Sequence, residues 1–138
     1  IQDVFVAGKK FEYLTERQLS YKDLETLPVM CLEGNTSTRA YVEGFLRENG
    51  VHLQPEFELA TSDMLIRFAM RGFGIAGVAE DFALEAMEKG EIFRLHFDRE
   101  IPKRHFCIVT DEKVPMTAAA RRFLDLLEDK CTSDKNKT

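Results

Sequence analysis

The stretch from Thr61 to Val78 limits what this chain can become more than any other. Thr61, Ser62 and Asp63 carry the short hydroxyl and carboxylate side chains that cap helix N-termini. Met64, Leu65, Phe68 and Ala69 then recur at helical spacing and form one apolar stripe. Gly72 stands where a left-handed terminator belongs, because it has no side chain to clash there. The run Gly74-Ile75-Ala76-Gly77-Val78 reads as a short strand buried on both faces. A helix turned sharply into a core strand implies an α/β architecture. The three glycines also match G-x-G-x-x-G, the dinucleotide fingerprint. That motif needs a strand before the glycines and a helix after them, so that the helix N-terminus meets the pyrophosphate. Here the order is reversed, and the Rossmann reading is rejected.

Strands are expected at Val4–Ala7, Val29–Leu32, Phe57–Ala60, Gly74–Val78, Ile92–Phe97 and Arg104–Thr110. Between them lie helical patterns. A short one opens at Ser20, with Asp23 three residues on as a near capping box, and Pro28 ends it. The next shows Tyr41, Val42, Phe45 and Leu46 on its apolar face and closes at Gly50. Another covers Asp81–Lys89 with Phe82, Ala86 and Met87 inward. The last covers Thr117–Glu128, with Ala120, Phe123, Leu124 and Leu127 as a buried stripe. This alternation predicts parallel βαβ units with helices on both sheet faces. The polar segment Lys130–Thr138 is expected to be disordered.

In sheets of this kind ligands bind beyond the carboxyl ends of the strands, where helix N-termini also sit. Two polar loops obey that geometry: Asn35–Thr38 after the second strand and Thr61–Ser62 after the third. Each offers hydroxyls and the unpaired N–H groups of a helix first turn. The same hydroxyls would serve as plain caps worth about 1 kcal/mol each, and the two roles are compatible. Arg39 opposes the helix dipole from the first turn, and faces either an anionic ligand or solvent. Asp63 already favours the dipole and would repel an anion at its cap.

His52, His96 and His105 are scattered, with no Ser, Cys or carboxylate partner at a telling spacing, so no catalytic set is visible. Cys31, Cys107 and Cys131 are odd in number and widely spaced, which fits neither a metal site nor a disulfide framework. A reducing compartment is the simplest setting. The balance of 19 basic against 24 acidic residues, net −5, argues against DNA binding by this chain itself. No apolar run reaches membrane-spanning length. The chain begins at Ile1 without Met, as a piece of a longer protein would.

Four blocks then carry a resemblance. They are Leu24-Glu25-Thr26-Leu27-Pro28-Val29-Met30, Gly34-Asn35-Thr36-Ser37-Thr38-Arg39, the Thr61–Val78 stretch, and Ala118-Ala119-Ala120-Arg121-Arg122-Phe123-Leu124-Asp125. In this order and spacing, from Val4 to Leu127, the chain resembles the effector-binding domain of LysR-type transcriptional regulators. That domain looks like a two-lobed type II periplasmic binding protein. The resemblance implies that residues 1–130 are the second lobe, a mixed or parallel sheet flanked by helices, plus the C-terminal helix. A winged helix-turn-helix and the start of the first lobe would precede Ile1. It also implies an effector cleft lined by Asn35, Thr36, Ser37 and Thr38, by Thr61 and Ser62, and by Val78 at the rim. At that rim Ala79-Glu80 stand where the family usually has a proline. The implied partners are a small effector, expected to bear a carboxylate, and DNA through the missing domain. The parent would be a cytoplasmic homo-oligomer that does no chemistry, needs no cofactor or metal and touches no membrane. A solute-binding protein of a transport system shares the fold and is the alternative.

Overall fold

The computed structural model describes residues 1–135, which divide into a larger unit, Ile1–Phe106, and a smaller one beginning at Cys107. The larger unit is built on five strands: β1 (Asp3–Gly8), β2 (Val29–Leu32), β3 (Phe57–Leu59), β4 (Ile75–Ala79) and β5 (Ile92–Arg94). Their spatial order is β3-β2-β4-β1-β5. Strands β2, β3 and β4 run parallel, whereas β1 is antiparallel to both β4 and β5. The sheet is therefore mixed where pure βαβ alternation predicted parallel pairing. The segment between β1 and β2 holds two 3-10 helices, Lys9–Glu16 and Tyr21–Glu25, and not a crossover α-helix. Of the predicted capping box there, the Ser20 N–H donates to Asp23 Oδ2 at 2.8 Å.

Side-chain alternation along the strands creates two cores. Phe5, Ala7, Val29, Cys31 and Ile75 point to one face, where they meet Val42, Phe45 and Leu46 of α1 (Ser37–Glu48). Val4, Val6, Met30, Ala76 and Val78 point to the other, under α2 (Ser62–Met70) and α3 (Glu80–Glu88). Helices thus cover both faces, and β4 is buried on both as its apolar run predicts.

The glycines of the false fingerprint each have a structural task. Gly72 ends α2 with φ +74, a conformation that L side chains rarely adopt. Gly74 lies against the Pro28 carbonyl, and a Cβ on Gly77 would sit 3.1 Å from the Phe5 ring.

Several inward faces differ from their helical-wheel prediction. Met64 is exposed, and Ile66 joins Leu65 and Ala69 in the core. Phe82 is exposed, and Ala83 with Ala86 forms the buried side of α3. Helices this short present a narrow stripe, so a shift of one residue in the starting angle exchanges neighbours. The run Arg104–Thr110 forms no strand among the described residues, although its apolar alternation predicted one, and Phe106, Ile108 and Val109 are exposed. An extended segment becomes a strand only with a ladder partner, and the pattern of its own side chains does not supply one.

In the smaller unit α4 (Ala118–Lys135) is capped as predicted, with the Ala120 N–H donating to Thr117 Oγ1 at 3.2 Å. Its expected buried stripe is not buried: Ala120 and Phe123 are exposed, and Leu124 and Leu127 are half-buried. One helix and an irregular segment offer no second layer to pack against. The helix continues through Lys135 into the segment expected to be a disordered tail, of which residues 136–138 lie outside the described residues.

Candidate functional site at the carboxyl edge of the sheet

Because β2, β3 and β4 are parallel and each leads directly into a helix, the N-termini of α1, α2 and α3 all lie at one sheet edge. Strand β1 runs the other way, so its first residue, Asp3, lies at the same edge, in register with Ala79. The loops after β2 and β3 are neighbours, tied by the Glu33 N–H donating to the Leu59 carbonyl at 3.1 Å.

Thr36 is the N-cap of α1. Its Oγ1 accepts from the Arg39 N–H at 3.2 Å and donates to the Glu33 carbonyl at 3.0 Å, so its proton is already committed. Thr61 caps α2 in the same way, accepting from the Met64 N–H at 3.3 Å. Asn35 and Ser37 are exposed at the loop, and Ser62 is half-buried. Thr38 is held from outside the loop, its Oγ1 accepting from Arg104 Nη2 at 2.8 Å. Val78 is buried in the core and can offer a ligand only its main chain. The rim beside it is closed by Glu80, whose N–H reaches the Gln2 carbonyl at 2.8 Å and whose carboxylate pairs with Arg94 at 2.6 Å.

Of the two expectations from sequence, the structure overturns the solvent-facing one, since Arg39 is buried among carboxylates of its own framework. Only 7% exposed, it pairs with Glu43 at 2.7 Å and Glu58 at 3.2 Å and donates to the Leu32 carbonyl at 2.8 Å. Burial opposes its charge, but the Glu43 and Glu58 carboxylates outweigh that and hold its pKa above the ordinary value. Its cation is thus spent on the β2–α1–β3 framework. Its Nε is the one buried side-chain polar atom without a partner among the described residues, beside a small recess lined by Cys31, Leu32, Thr38, Val42 and Gly77.

Two site residues left no trace in the sequence pattern. Asp3, 2% exposed, accepts from Arg104 Nε at 2.6 Å and from Nη2 at 3.0 Å. Asp3 raises the Arg104 pKa, and the guanidinium stands 5.6 Å from the centre of the Tyr41 ring. The flanking segments are tied as well, the Arg104 N–H donating to the Ile1 carbonyl at 3.0 Å and the Gln2 side-chain Nε2 to the Ile101 carbonyl at 2.7 Å. The edge therefore presents free serine hydroxyls and helix N-termini, while Arg39, Arg94 and Arg104 are each neutralised by carboxylates of the chain itself. That suits recognition of a small polar molecule. Among the described residues no cluster of His, Cys, Asp or Glu could hold a metal, and no helix is long and apolar enough to cross a membrane.

Burial pushes the Cys31 thiol beneath this edge up to about 11, with Arg39 opposing the shift and Glu43 and Glu58 adding to it. Thiolate is the reactive form. Iodoacetamide at pH 8 should therefore alkylate the exposed Cys107 first and reach Cys31 only after unfolding. Peptide mass spectrometry over time would show the order, and simultaneous labelling would contradict it.

No curated protein sequence matches the chain. Among solved structures, the CcmR regulatory domain of Synechocystis PCC6803 in complex with 2-PG matches with a TM-score of 0.79 at 17% identity, over 91% of this chain and 61% of that one. HinK, a LysR family transcriptional regulator from Pseudomonas aeruginosa, matches with a TM-score of 0.67 at 18% identity, over 94% of this chain and 44% of that one. The effector binding domain of QuiR in complex with shikimate matches with a TM-score of 0.61 at 10% identity, over 75% and 47%. The chain thus spans less than two thirds of these structures, and at such identities they show the fold alone. The family is shown by sequence: residues 2–132 match the LysR substrate binding domain, and the chain belongs to that family.

Proposed function

We propose that this chain is the sensing part of a LysR-type transcription regulator. In this reading a small, carboxylate-bearing effector binds at the carboxyl edge described above. The observation that carries it is the delivery of two hydroxyl-bearing helix N-termini, at Asn35–Thr38 and at Thr61–Ser62, by adjacent parallel strands. Helix N-termini favour negative charge, and with Arg39 and Arg104 neutralised by their own carboxylates the attraction falls to N–H groups and hydroxyls. The two complexes above, with 2-PG and with shikimate, support small effectors for such domains. In the same reading the chain does no chemistry. It works in the cytoplasm within a homo-oligomer and acts on DNA through a separate domain. Effector binding shifts that parent only through different affinity for its two arrangements.

Calorimetry of the intact regulator with small carboxylates, shikimate first, tests the site. Ser37→Ala and Ser62→Ala should each weaken binding about three- to tenfold, the worth of one hydrogen bond of roughly 0.5–1.5 kcal/mol. Unchanged affinity in both variants would sink the assignment.

A further inference from the structure

No further inference is drawn: the strongest candidate, the exposed surface patch where Phe57 of the edge strand β3 meets Phe68 of α2 and Phe73, flanked by Met64 and Met70, is an unpartnered apolar face, and nothing in the structure shows what covers it.

Discussion

Arg104→Ala should lower the stability of the folded chain by about 3–5 kcal/mol, the usual cost of deleting one partner of a buried ion pair. The carboxylate left behind is Asp3, whose side chain is 1% exposed and, among the described residues, hydrogen-bonded only to Arg104. Water cannot replace the guanidinium without opening the junction of β1, β4 and the Ile101–Arg104 segment. A domain typically has about 5–15 kcal/mol in all, so the loss is a large share of the total. Asp3→Asn should cost less, because an amide keeps one acceptor and Arg104, at 15% exposed, can recruit water. The Asp3→Val/Arg104→Met double variant should recover part of the loss, since an apolar pair leaves no buried charge. Urea unfolding followed by circular dichroism measures all three. A loss below about 1 kcal/mol for Arg104→Ala would mean the pair is already open to solvent.

This pair also marks where sequence reading ran out. Asp3 and Arg104 lie 101 residues apart, and no local periodicity links two charges at that distance. The Arg39 pairing went unread, although Glu43 stands four residues on, a spacing that permits pairing on one helix face, while Glu58 comes from β3. What could be read was local. Thr36 and Thr61 were recognisable as caps, Gly72 as a left-handed stop, and the runs of β1, β2 and β4 as buried strands. Apolar patterning carries no direction, however, so the antiparallel setting of β1 was invisible. The placement of Asn35–Thr38 beside Thr61–Ser62 was legible because parallel β2 and β3 each run straight into a helix. The Arg104 grip on Thr38 was not, because it depends on that reversed first strand bringing Asp3 to the same edge.

Gly8→Ala should be the most damaging of the small substitutions, by about 3 kcal/mol. Gly8 ends β1 and faces the carbonyl of Ala69 in α2, where an added Cβ would overlap the oxygen and crowd Met70 Cα at 3.2 Å. The obstacle is backbone, so no rotamer change relieves it. Either β1 must leave its ladder with β4 and β5, or α2 must lift off Val6 and Ala76. Inserting even one carbon into a closed contact costs about 1–3 kcal/mol, and contact with backbone places this case at the upper end. The internal control is Gly44, inside α1, where nothing lies within 4 Å of an added Cβ. There an alanine removes the entropy cost of glycine in a helix, and Gly44→Ala should stabilise by about 0.5–1 kcal/mol. The two variants make the same chemical change with opposite sign, so any general effect of a methyl group cancels. Because α2 carries Thr61 and Ser62 at its other end, the helix displacement should also reach the site. Amide chemical shifts of those two residues should move in Gly8→Ala and stay in place in Gly44→Ala. Equal stability of the two variants would show that α2 is not seated on β1 through this contact.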